Sequence, residues 1–162
     1  MDQFRLATTF RGESAPEEGD IQLYRQKGVD WVPREVAALR ADWVDKPKVC
    51  LPKASDGSGR TPRQVLGRPI VAADPPCCTM TYLVVGPFDS DAQAASAASY
   101  LHTKFVRFLV SLVKLTQDTT SSSFRFVPLV DFDRQWSDAA LYELFDLSDD
   151  DIDLIEASIT PM

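Results

Sequence analysis

A single histidine, His102, is the only side chain whose ordinary pKa lies close to neutrality. A histidine-based hydrolase would have to be built around it, yet no serine or cysteine stands in a motif that pairs with it. Cysteine is also scarce. Cys50, Cys77 and Cys78 show no C-x-x-C spacing, and no H-x-x-x-H unit completes a zinc site. Their odd number argues against a disulfide framework and fits a reducing compartment. The adjacent Cys77 and Cys78 are expected to point to opposite faces of a strand. No stretch approaches the roughly 20 apolar residues that cross a bilayer, because Lys104, Arg107 and Lys114 interrupt the most apolar run. Met-Asp-Gln-Phe-Arg at the start lacks the basic and apolar regions of a secretory leader, so a cytoplasmic location without a membrane partner is expected. The run Gly57-Ser58-Gly59-Arg60-Thr61 lacks the Gly-Lys-Ser/Thr ending of a phosphate loop, and no Gly-x-Ser-x-Gly elbow occurs. Asp149, Asp150, Asp151 and Asp153 lack the glycine and terminal glutamate of a calcium loop; at a helix start they complement the dipole. No catalytic residue and no metal ligand is assigned.

What is present is the patterning of one ordinary domain: 162 residues, 44% hydrophobic and 25% charged. The expected fold is α+β over residues 1–162, with a β-rich N-terminal half and a helical C-terminal half. Its sheet is expected to be mixed and mostly antiparallel, packed with a central apolar helix and C-terminal helices. Alternating apolar residues predict strands over 4–10, 70–73, 79–85 and 124–130, and an extended stretch over 46–53 that Pro52 places at an edge or an end. Ile21, Leu23 and Tyr24, then Val29, Trp31 and Val32, predict a hairpin over Gln26-Lys27-Gly28. Pro33 can open a short helix. Ser90 or Asp89 can cap a helix from Ala92, with Ala94, Ala95, Ala98 and Leu101 as its packing face. Residues 103–115 read as a helix apolar around nearly its whole circumference, hence central. Ser137 and Ser148 each open a C-terminal helix.

The formal charge of −7 is unevenly spread. Between residues 46 and 68, Lys46, Lys48, Lys53, Arg60, Arg63 and Arg68 face only Asp56. Between 131 and 156, ten acids face only Arg134. A positive block suits phosphate contacts, and Ser55 beside the glycine-rich loop 54–60 suits base or backbone oxygens. A second group, Lys104, Arg107, Lys114 and Gln117, lies on or just past the apolar helix; arginine and glutamine can read base edges in bidentate fashion. Both groups also have a plain alternative. The block is solvated surface, or Arg107 and Lys114 lie over the core and pair with the acidic tail.

Several ordered segments carry a resemblance. They are Phe10-Arg11-Gly12, Glu18-Gly19-Asp20-Ile21, Asp45-Lys46-Pro47-Lys48-Val49 and Pro52-Lys53-Ala54, then TYLVVGPFDS, SYLHTKFVRFLVSL, KLTQD, SFRFVPLVDF and WSDAALYELFDLSDDDIDLIEASITPM. Together they resemble the C-terminal target-recognition domain of bacterial type II restriction-modification enzymes fused behind an adenine-N6 DNA methyltransferase. That resemblance implies a domain that reads a short double-stranded DNA sequence for a methyltransferase or endonuclease domain or subunit. The chain has no Asn-Pro-Pro-Tyr motif and no S-adenosylmethionine loop. S-adenosylmethionine and Mg are therefore expected only in the associated catalytic domains, and this chain is expected to be a fragment or subunit without activity of its own. The DNA-contacting candidates are Lys46, Lys48, Lys53, Ser55, Arg60, Arg63, Lys104, Arg107, Lys114 and Gln117. Two other readings stand beside this one: a protein-interaction module docking to a methyltransferase subunit, and a small metal-dependent restriction endonuclease.

Overall fold

A computed structural model describes residues 4–55, 61–72 and 76–162. Strands β1 (Ile21–Arg25) and β2 (Gly28–Val32) form the expected hairpin, with Arg25 opposite Gly28 and Gln26-Lys27 at its tip. Gly28 takes φ +132°, a region open to glycine and strained for other residues. Alternation turns Ile21, Leu23, Asp30 and Val32 inward. The buried Asp30 accepts from Arg25 Nε at 2.6 Å and from the Gly12 amide at 3.1 Å, and the guanidinium holds its carboxyl below the usual range.

A short 3-10 segment (Arg34–Arg40) and α1 (Ala41–Val44) lead into β3 (Lys48–Pro52). β3 is the middle strand of a second sheet, antiparallel to both β4 (Ile70–Ala72) and β6 (Tyr82–Val85). Pro52 marks the end of this inner strand, not an edge. β5 (Pro76–Cys78) returns to the first sheet and pairs with β1 in parallel, giving the orders β2-β1-β5 and β4-β3-β6. The fold is thus α+β with mostly antiparallel pairing, divided between two three-stranded sheets. β3 stands between two cores: Val49 and Leu51 face the helical half, while Cys50 packs with Ile21, Leu23, Cys77 and Cys78. Burial on both sides of β5 hides both of its cysteines, and all three thiols are free.

Helix α2 (Asp91–His102) lies across β3 and β4, and its small face consists of the buried Ala94 and Ala97 with Leu101. Helix α3 (Lys104–Ser111) is the hub of the helical half, touching α2, α4 (Asp138–Leu144), α5 (Asp149–Ser158) and a 3-10 turn (Ser121–Phe124). Each long helix starts on a side-chain cap: Ser90 accepts from the Gln93 amide, Thr103 from Val106, Ser137 from Ala140 and Ser148 from Asp151.

Three expected strands are corrected. Residues 4–10 make only a single parallel bridge, Leu6 with Thr79, before the Phe10 amide closes a turn on Ala7 O at 2.9 Å. The edge beside it is short: β5 ends at Cys78, and the Met80 amide that donates to Leu6 O at 2.8 Å already belongs to the turn that follows. The stretch 79–85 is interrupted at its start: the Tyr82 amide donates to Thr79 O at 3.1 Å, and this turn carries the chain from one sheet to the other. Residues 124–130 are not a strand. Phe124 ends a 3-10 turn and Pro128 has no amide to offer a ladder; its carbonyl accepts from Tyr100 OH at 2.7 Å instead.

Candidate nucleic-acid interface

The basic segment is pinned at both ends. On the outgoing side the Lys53 amide donates to Thr81 O at 2.9 Å, the Thr119 amide to Lys53 O at 2.8 Å and the Ser55 amide to Gln117 O at 3.3 Å. On the returning side the Arg63 amide donates to Ser158 O at 2.9 Å and the Thr160 amide to Arg63 O at 3.0 Å. Gly67 lets this return lie against the end of β3, because a Cβ there would come within 2.7 Å of the Pro52 ring.

Between these anchors Val65 takes φ +69°. A β-branched residue in the left-handed region costs about 1–3 kcal/mol, so its surroundings must hold it there. The holder is Lys114. Its Nζ donates to Val65 O at 2.8 Å and to Ser55 Oγ, which in turn donates to Val65 O. One buried ammonium therefore ties the exit of the segment to its return. Arg107 makes a second tie: Nε donates to His102 O at 3.1 Å and Thr103 O at 3.2 Å, and Nη1 to Thr160 O at 2.7 Å and Gln64 O at 3.4 Å. His102 and Thr103 end α2, so the guanidinium also meets the negative end of that helix dipole. Burial lowers the Arg107 pKa, and the guanidinium stays charged because its ordinary value is so high.

Few of the ten candidate residues are presented as the sequence suggested. Lys48, Arg107 and Lys114 are 0%, 1% and 6% exposed, so they offer no charge at the surface. The reason is chemical. Each ammonium or guanidinium satisfies carbonyl oxygens that irregular backbone would otherwise leave unpaired in the interior. Lys48 Nζ donates to Val44 O at 3.0 Å and Lys46 O at 2.8 Å, and burial lowers its pKa to about 8. Lys104 is neutralised by Glu156 in an ion pair. Arg60 lies outside the described residues, as does most of the loop 54–60. Lys46 and Gln117 are exposed, and Lys53, Ser55 and Arg63 are half-buried. The expected cationic rim is reduced to Lys46, Lys53, Arg63 and the exposed Arg68 among the described residues of those two groups.

The fold does bring the two groups together, although they lie far apart in sequence. Lys53, Ser55, Lys114 and Gln117 converge at the foot of the basic segment. Beside them a cleft of about 470 Å³ opens at the junction of the two sheets, lined by Thr8, Gln26, Lys53, Met80, Thr81 and Asp118 among others. Gln26 stands at the hairpin tip, and Thr81 in the turn between the sheets. Glutamine, threonine and lysine supply the donors and acceptors that base edges and phosphates require, and Met80, 37% exposed, supplies an adaptable apolar contact. Sequence patterning missed Thr8, Gln26, Met80 and Thr81, since nothing local says that a hairpin tip and a sheet-crossing turn meet. The burial of Arg107 had no local signal either: Lys104, Arg107, Ser111 and Lys114 recur at helical spacing and read as one polar stripe.

His102 closes α2, half-buried, in a groove with Arg68, Ser99 and Asp138; burial and then the nearby Arg107 and Arg68 lower its pKa. No group of three or more potential metal ligands occurs among the described residues. No helix among them is long and apolar enough to cross a membrane. The chain matches no family model, no curated protein and no solved structure.

Proposed function

We propose that this chain is a sequence-specific DNA recognition module of a restriction-modification system, positioning a methyltransferase or endonuclease on its target. The observation that carries the reading is the doubly pinned basic segment, with a strained Val65 at its base, set beside a cleft of hydrogen-bonding side chains. Strain held in place by a buried cation is a feature of sites whose geometry matters more than their stability. Lys46, Lys53 and Arg63 supply phosphate contacts, while Gln26, Thr81 and Gln117 face the bases. The motif resemblance points the same way.

The test is selection of duplexes from a random-sequence pool by the purified chain at low salt, followed by anisotropy on the enriched sequence. Retention of a consensus, lost on joint replacement of Gln26 and Gln117 by Ala, is the expected result. Retention without any consensus would reduce the module to a non-specific binder. No retention at all would overturn the reading, and magnesium-dependent cleavage abolished by chelator would replace it with an endonuclease.

A further inference from the structure

The helical half carries a second feature that DNA recognition does not use. Residues 128–131 have no regular structure, yet they are fixed from both sides: Tyr100 OH donates to Pro128 O at 2.7 Å and Trp136 Nε1 to Asp131 O at 2.9 Å. Between these tethers Leu129 stands 91% exposed. A leucine at the tip of a mobile loop would be ordinary; one held outward on an anchored segment is already in place for a contact. It borders a groove of about 560 Å³ whose other apolar walls are Val130, Trp136, Leu144 and Phe145. Leu144 and Phe145 are 51% and 37% exposed. The floor is rigid, since Phe145 stacks on the buried Phe105 with ring centroids 5.1 Å apart and Arg134 covers Trp136 at 4.1 Å.

Charge selects the occupant. Asp131 and Asp133 line the groove beside one cation, Arg134, whose guanidinium is laid on the Trp136 ring, and of the ten acids between 131 and 156 all but the half-buried Asp138 are exposed. Another nucleic-acid strand or an anionic lipid surface would be repelled there, and so would the same face of a second copy. We infer that this groove docks a basic amphipathic segment of a partner protein. The apolar row of the partner would cover Leu129, Leu144 and Phe145 while its lysines or arginines meet the acidic rim. This inference does not depend on the DNA reading, because the two surfaces share no residue.

The experiment titrates the full chain into a labelled synthetic helical peptide about four turns long, with a leucine stripe and lysine at the remaining positions. A twin peptide with glutamate in place of lysine is the control. The expected result is saturable binding of the basic peptide only. Leu129→Ser and Leu144→Ser should each weaken it about tenfold, with the melting temperature unchanged because both leucines already face water. Equal binding by the parent and the double variant L129S/L144S would overturn the proposal, leaving only diffuse charge attraction. Equal binding of the acidic twin would overturn the charge argument. Concentration-dependent dimerisation of the parent that L129S abolishes would assign the groove to a second copy instead.

Discussion

At the foot of the basic segment Arg107 and Lys114 are turned inward, 1% and 6% exposed, whereas across the C-terminal helices the carboxylates face water. The difference follows from what each region must satisfy. Gln64 and Val65 lie outside any regular element beside the core, and their carbonyls take side-chain donors from Arg107 and Lys114 in place of a ladder. On α4 and α5 most backbone groups are paired within the helix, so Glu143, Asp149, Asp150 and Asp153 stay at the surface, while Asp138 accepts from the Phe105 amide, Asp151 caps α5 and Glu156 pairs with Lys104. The surface is consequently more negative than the formal −7 implies, because three of the bases behind that figure are interior struts.

Removing a strut is the most severe way to probe this contrast. Arg107→Met or Lys114→Met should each cost about 3 kcal/mol, since Thr160 O loses a donor in the first and Val65 O keeps only Ser55 Oγ in the second, with more for Lys114 if Val65 relaxes. Urea denaturation gives the number. A variant with unchanged stability and weakened DNA binding would instead make that residue a surface contact.

Lys48 offers a test by pH. Its pKa falls from an unfolded value near 10.5 to about 8 when buried, so the unfolded chain binds more protons between those limits. Stability contributed through Lys48 therefore rises as pH increases from about 8 to 10.5. The stability of the parent relative to Lys48→Met should climb by on the order of 3 kcal/mol across that window. A flat difference would mean that the ammonium is hydrated and not a strut.

The cations that stay accessible should behave in the opposite manner. Lys46→Ala should leave the unfolding midpoint nearly unchanged, weaken duplex binding severalfold and reduce the salt slope by about 1. Anisotropy measured across a salt series decides it. On the acidic side, Ser148→Ala should cost only about 1 kcal/mol, because it removes the cap that Ser148 and Asp151 form at the start of α5. A thermal melt resolves an effect of that size.

Local chemistry made part of this structure legible in the sequence. The hairpin, the caps at Ser90, Ser137 and Ser148 and the apolar helix, which ends at Ser111 and not at the expected 115, are each decided by residues within a few positions of one another. What escaped was non-local. The parallel β1–β5 pairing and the division into two sheets depend on where the chain turns at Thr79, and the alternation of 79–85 runs straight through that turn. The aromatic alternation of 124–130 also misled. Phe124 and Val127 pack against the core from an irregular segment, while Phe126 and Leu129 stay exposed. At the candidate interface, the importance of residues 53–55 and 114–117 was visible, but their roles were not. A lysine that will grip a carbonyl and one that will meet a phosphate look alike until the fold assigns them.

The Lys114 tie recognises a main-chain carbonyl and a single hydroxyl, both outside residues 56–60. Ser55 and Val65 are therefore held at a spacing set by one side chain from a distant part of the sequence, so that a change at position 114 is felt at both ends of the basic segment at once.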